Sequence, residues 1–332
     1  IAKTEDWGKT WIDITYNDAV DLPHTVRQLG KLHTGELIAS CTEGYIYKSD
    51  ENEANWRLVY EFGSGKGHSF ADMGFQVYGD IVLTGSYGDP LQHAVVLLSR
   101  DGGETFEEIL SLRGESSADT EAKHIHDVKF DPYEGLIWVT TGDDYLEENS
   151  LENRILVSGD WGESWAEFRG YRATQIMPFP KCVIFAGDNP GRISVARYMR
   201  RREGTASITD SPKRQPSWPT IPELLIEEVW FGAIMPNETW AGYWATNSAI
   251  RYGSRPFAAF GLMHGSVDPL QPVKIWATTD GIRFYVLWMS DVLGYRLESY
   301  VGGVFGPDDE GNLAAAVMLD GSWHLLRLHT GE

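Results

Sequence analysis

Positive charge is scarce in this chain. Lys and Arg number 28 against 48 Asp and Glu, a formal net charge of −20. That balance argues against nucleic acid as the main partner, because phosphate binding needs a positive field. It suits a soluble surface in a salty medium. Cysteine is nearly absent. Cys41 and Cys182 sit in separate apolar runs, so they are expected as buried thiols, without a disulfide framework or a cysteine metal centre. No apolar run is long enough to insert in a membrane. No long stretch holds a helical period either. Ile1 lies within a motif and no basic-then-apolar leader precedes it. Either a leader has been removed, or the numbering begins inside a larger polypeptide such as a virion or surface protein.

What the chain does have is short apolar runs and a repeat. Hydrophobic residues make up 42% and aromatic residues 12%, a mix that packs well on pleated sheet. Runs such as 37–41, 94–98, 136–141, 154–157 and 182–186 are separated by Gly, Asp, Asn or Pro, the punctuation of successive strands. Ser99-Arg100-Asp101-Gly102-Gly103-Glu104-Thr105-Phe106 and Ser158-Gly159-Asp160-Trp161-Gly162-Glu163-Ser164-Trp165 share one template. Thr4-Glu5-Asp6-Trp7-Gly8-Lys9-Thr10-Trp11 follows it with Thr for Ser. Thr278-Thr279-Asp280-Gly281-Ile282-Arg283-Phe284 is one residue shorter, and 49–56 is degenerate, with Glu51 taken as its acidic position. Asp and Ser/Thr side chains can bond the backbone of a tight turn, Gly supplies positive φ, and the aromatic anchors the next strand.

These residues resemble the Asp-box (BNR) repeats of sialidase-like β-propellers. The resemblance implies that each box joins the third and fourth strands of a blade and is structural. The acidic positions 6, 51, 101, 160 and 280 are spaced by about 45–60 residues with one double gap, which gives six units. The expected fold is all-β: a single six-bladed β-propeller of four-stranded antiparallel blades over 1–332. Its blades are expected near 17–62, 68–112, 123–169, 171–226, 228–290 and 296–332 plus 1–15. N- and C-terminal strands would share one blade and close the ring. The proline-rich segment 203–223 is expected as a rim loop.

Innermost strands should begin near His24, His68, His124, Tyr171, Glu228 and Glu298, so these starts are expected to converge on one mouth of an axial tunnel. His124 and His126, at i and i+2 on a strand, share a face. With Tyr171 they are the candidate catalytic groups. His24, Arg27, His68, Arg172, Asp143, Asp188, Glu228 and Tyr300 are the candidate ligand-binding groups. Asp143 and Asp188 each follow a Gly that ends a second strand; as turn residues they would need no ligand. The histidines equally suit a strand cap at a wet tunnel, a ligand contact, or, as His68, His124 and His126, a metal site. No cofactor is expected. The block from His124 to Asp188 resembles uncharacterised microbial and viral Asp-box proteins. Arg200-Arg201-Arg202 is expected as a solvated edge, 63–67 as a flexible turn, and Asn237-Glu238-Thr239 as a sequon with meaning only in a secretory host.

The complete sialidase set is missing: Arg192-Ile193 is followed by Ser194, and Arg255-Pro256 lacks the residue between. Two functions stay open. One is an extracellular or virion-surface module that binds a glycan or polysaccharide through central aromatic, His and Arg groups, for instance in host attachment. The other is a carbohydrate-active enzyme on an acidic glycan. It would be a lyase using Arg with His or Tyr, or a glycoside hydrolase using a pair among Asp143, Asp188, Glu228 and Glu298.

Overall fold

Strands that are buried on both faces lose the in–out alternation and read as continuous apolar runs. The run Ala94–Ser99 is buried at all six positions, as is Cys182–Gly187. The architecture that buries such strands is a row of stacked sheets. In the computed structural model, described residues are 2–3, 10, 12–13, 24–53, 55–62, 68–88, 93–112, 122, 124–142, 153–169, 171–187, 194–200, 226–230, 243–245, 249–253, 255–264, 272–293, 300–308 and 310–330.

Among these residues the chain is all-β, with one 3-10 turn at Thr42–Gly44. A two-stranded hairpin, β1 (Ala2–Lys3) and β2 (Ile12–Asp13), comes first. Sheet one follows as β3 (Val26–Lys31), β4 (Leu37–Cys41), β5 (Tyr45–Lys48) and β6 (Arg57–Glu61). Sheet two is β7 (His68–Tyr78), β8 (Ile81–Gly88), β9 (Ala94–Ser99) and β10 (Glu107–Leu112). Sheet three is β11 (Ile125–Asp131), β12 (Leu136–Thr141), β13 (Arg154–Ser158) and β14 (Ala166–Arg169). Sheet four is β15 (Ala173–Pro178), β16 (Cys182–Gly187), β17 (Ser194–Met199) and β18 (Ile226–Trp230). In sheet five, β19 (Tyr243–Ala245) and β20 (Ala249–Arg251) both pair with β21 (Phe257–His264), which continues to β22 (Pro272–Thr278) and β23 (Tyr285–Leu293). Sheet six has three strands, β24 (Tyr300–Phe305), β25 (Asn312–Leu319) and β26 (Ser322–His329). Every pairing is antiparallel and between neighbours in sequence, apart from the split first strand of sheet five.

Each pair of consecutive sheets, from one to six, shares a hydrophobic core. Leu83, Val96 and Leu98 of sheet two meet Ile125, Val128 and Val139 of sheet three, for example. A sixth cluster, with Ala39, Tyr47 and Trp56, lies on the other face of sheet one. Full burial of one such side chain is worth about 1.5–3 kcal/mol. These interfaces therefore outweigh any single polar contact in holding the row together.

Three boxes seat sheets two, three and five, each on the sheet before it. Asp101 accepts hydrogen bonds from the Ser99 hydroxyl at 2.7 Å, the Thr105 amide at 2.9 Å and the Thr105 hydroxyl at 2.6 Å. Ser99 Oγ accepts from the Gly103 amide at 2.8 Å. Asp160 repeats the pattern with Ser158 and Ser164, and Asp280 with Thr278, Ile282 and Arg283. The fixed tip then meets the previous sheet. A Cβ on Gly103 would lie 2.5 Å from Ile38, one on Gly162 2.6 Å from Ile109, and one on Gly281 2.4 Å from Cys182. The Trp165 indole donates to the Ile109 carbonyl at 3.2 Å, and Lys48 pairs with Glu104 at 2.7 Å. In the degenerate copy Asp50, not Glu51, does the work: it accepts from the Asn52 amide and from the Asn55 side chain.

Four expectations change. Sheet four extends to Trp230, because the connection between β17 and β18 contains 203–223 where sheets two, three and five have a box; among the described residues sheet five therefore begins at Tyr243 and not at 228. Glu228, placed by the sequence on an innermost strand, lies on β18, the outer strand opposite Ala196. Arg200 is not a solvated edge. Its side chain is 6% exposed and pairs with Asp131 at 2.7 Å and Glu134 at 2.5 Å, tying sheet four to sheet three where a box would otherwise sit. Closure by the two termini in one four-stranded blade is not what the pairings give. Among the described residues β1 pairs with β2 alone, and β26 is already a third strand. The segments 203–223, 63–67 and 237–239 lie outside the described residues.

Gly162→Ala is expected to destabilise the fold by about 2–4 kcal/mol, since its φ of +94° strains any L side chain and its Cβ would press on Ile109. Urea unfolding measures it; a loss under 0.5 kcal/mol, within the ordinary surface scatter, counts against the clasp. Asp101 gives a pH signature. Burial would raise its carboxyl, but the bonds from Thr105, Ser99 and Glu104 bring it down to about 2. A lowered folded value means stability that is complete above the unfolded value of about 4 and is lost as pH falls towards 2. The stability deficit of Asp101→Asn should accordingly be largest near neutrality and vanish near pH 2.

Candidate functional site

The first strands of sheets two, three and four run the same way. Gln76 near the end of β7 bonds the backbone of Phe130 near the end of β11, and Asp127 near the start of β11 accepts from Ile176 on β15. Their starting ends therefore lie together, as the repeat requires. At that end four first strands share a defect. β3, β11, β15 and β24 each carry a register shift one or two residues in, at Arg27, His126, Thr174 and Gly302. A bulge of this kind turns one side chain out of the alternation. Arg27 and His126 thus occupy equivalent positions.

Around His126 the groups converge. His124 and His126 are 5% and 4% exposed, with ring centroids 4.9 Å apart. His126 Nδ1 lies 2.9 Å from the Ala173 carbonyl. It must carry the proton to donate there, which leaves the lone pair of a neutral ring on Nε2. Arg172, 3% exposed, and Asn153 approach the same spot. A Cβ on Gly142 would come within 2.8 Å of Asn153 Oδ1 and 3.3 Å of both Arg172 Cγ and His126 Cε1. A side chain at position 142 would therefore make Asn153 shift. Tyr87, near the end of β8, lies against His124 with ring centroids 4.0 Å apart and planes tilted by 30°, and remains 46% exposed. The arrangement offers a flat aromatic surface at solvent above buried imidazole, amide and guanidinium groups.

Other expected members lie elsewhere or are not described. Tyr171 turns into the core between sheets three and four, and its hydroxyl donates to the Phe185 carbonyl at 3.3 Å, so the described contacts do not join it to the histidines. His24 stacks on Tyr45 at 3.9 Å and pairs with Glu43 at 3.3 Å, forming a separate group on sheet one. Arg27 is exposed on β3. His68 opens β7 and Tyr300 opens β24; their side chains, with Asp143, Asp188 and Glu298, fall outside the described residues. Among the described residues no three His, Cys, Asp or Glu side chains are grouped to hold a metal.

Two residues were missed, with different signals. Tyr87-Gly88-Asp89 ends the second strand of sheet two as Thr141-Gly142-Asp143 and Ala186-Gly187-Asp188 end theirs, so Tyr87 was readable from that pattern. Asn153, just before β13, had none.

Below the histidines runs a buried polar chain. Asp127 is fully buried and pairs with Lys129 at 2.6 Å, and Lys129 also donates to the Phe75 carbonyl at 3.0 Å. Burial pushes the Asp127 carboxyl up, opposed chiefly by Lys129. Gln76 donates to the Tyr252 hydroxyl at 2.8 Å, and the Gly253 amide donates to the Tyr133 hydroxyl at 3.2 Å. The turn between β20 and β21 therefore reaches sheets two and three, at the end of the first strands away from His126.

No family model matches the chain, and no curated protein does. Solved structures do. An auxiliary nutrient binding protein from Bacteroides thetaiotaomicron aligns with TM-score 0.50 and 8% identity over 92% of this chain and 69% of its own. YCF48 from Cyanidioschyzon merolae aligns with TM-score 0.46 and 10% identity over 89% and 79%. At these identities the likeness speaks to fold alone, and the first carries it: an all-β, propeller-like chain.

Lys129→Met should cost about 3–5 kcal/mol, because it strands the Asp127 carboxylate in the core. The double change Asp127→Asn/Lys129→Met should cost less than Lys129→Met alone in the same denaturation assay. Equal or greater loss would show that the pair is not the reason.

Proposed function

We propose that this chain is a carbohydrate-binding β-propeller, a surface or viral attachment module whose six sheets act as blades and whose ligand sits over the starting ends of the first strands. The observation that carries the reading is Tyr87. A half-exposed ring held against a buried histidine, with Arg172, Asn153 and His126 close by, suits a pyranose: its C–H face packs on the ring while its hydroxyls or carboxylate meet the polar groups. The description of the Bacteroides neighbour as nutrient binding is compatible with a binding module. Localisation outside the cell or on a virion belongs to the same proposal.

A panel of neutral and uronate-containing polysaccharides, screened by array and followed by calorimetry, tests it. Tyr87→Ala should weaken the best ligand about tenfold, roughly 1.4 kcal/mol, while Tyr87→Phe stays close to the parent. His124→Ala should weaken it as well. A ligand that binds all three variants equally well would refute the site. Turnover of a bound polysaccharide, checked by product analysis, would move the chain to the enzyme class.

A further inference from the structure

Sheet six ends the row with one face bare. Its inner face, with Val301, Val304, Leu313, Ala315 and Val317, packs on sheet five. On the opposite face Phe305, Trp323 and Leu325 are 51%, 57% and 54% exposed, and the Trp323 ring lies against Gly302. A contiguous apolar surface on an acidic protein marks a contact.

The three described clasps indicate which segment makes it. In sheets two, three and five the box seats on the sheet that comes before it, through Gly103, Gly162 and Gly281. Its aromatic, Phe106, Trp165 or Phe284, packs into the core shared with that sheet. The N-terminal hairpin has the same register. Lys3 pairs with Ile12 around the box at 4–11, as Leu98 pairs with Glu107 and Val157 with Ala166 around theirs. We infer that the N-terminal box, residues 4–11, seats on the bare face of sheet six, so that the hairpin lies between sheet six and sheet one. This rests on the propeller reading only in taking sheet six as the sheet before the hairpin.

The chemistry is complementary. Trp11 stands at the position of Phe106 and Trp165, as an anchor for an apolar face. Lys9 stands where Glu104 stands, and Glu104 pairs with Lys48, the last residue of the third strand of sheet one. The matching corner of sheet six holds Asp308 and Glu310 just before β25, with Arg327 beside them, bonded to the Asn312 side chain at 3.3 Å, and His329, the last residue of β26, which approaches the Glu310 carbonyl at 3.0 Å. Asp308 and Glu310 are the groups of that corner that would attract Lys9.

The test is the double change Lys9→Cys/His329→Cys in the full chain, oxidised mildly and resolved by size. A reducible cross-link within the monomer is expected. Trp11→Ala and Leu325→Glu, each alone, should lower the melting temperature by about 2 °C or more while glycan affinity is kept. A cross-link joining two chains would overturn the inference and give the face to a second copy. So would no cross-link together with unchanged melting in both single variants. Failure of the glycan reading shows separately, in the Tyr87 series.

Discussion

One carboxylate in a turn does much of the organising in this molecule. The Asp101, Asp160 and Asp280 side chains each gather the donors of a tight connection and so fix the shape of a tip. That tip is shaped to fit against the sheet before it, where a glycine permits contact that no Cβ would. The hydrophobic cores supply most of the adhesion between sheets, but apolar faces are slippery and tolerate many offsets. The boxes set the offset. Where sheet four has no box, Arg200 holds Asp131 and Glu134 instead, a costlier device because two carboxylates must leave water for it.

This explains what could be read from the residues. The box template carries its own physics, so fold class and sheet succession follow from sequence: the turn residues, the aromatic and the preceding apolar run are all local. Glu228 could not be placed the same way. Its sheet had lost the box, and an apolar run beside a proline-rich insertion reads equally well as the end of one unit or the start of the next. Arg200 failed for a related reason. A basic triplet looks solvated until the partner carboxylates, about 70 residues earlier, are known.

The site divides along the same line. His124 and His126 were legible as an i, i+2 pair on one strand, yet the bulge at His126 is what frees that ring from strict alternation, and no residue type announces a bulge. Tyr171 was chosen for its hydroxyl. A tyrosine at the edge of a large core is more useful for its ring, and its hydroxyl went to a neighbouring carbonyl. Tyr87 shows the reverse case: its strand ending matched those of two other sheets, and the shared pattern located it better than its chemistry did.

Tyr252 has a consequence for how the chain behaves as a whole. Sheets that touch only their neighbours form a one-dimensional array, which can assemble or fray one unit at a time from either end. The bond from Gln76 to Tyr252 spans 176 positions of sequence and joins the second unit to the fifth. An array cross-linked at that separation cannot release an inner unit without also breaking the long contact. The block from sheet two to sheet five is thus expected to melt together, and to form late because the contact that ties it is distant in sequence.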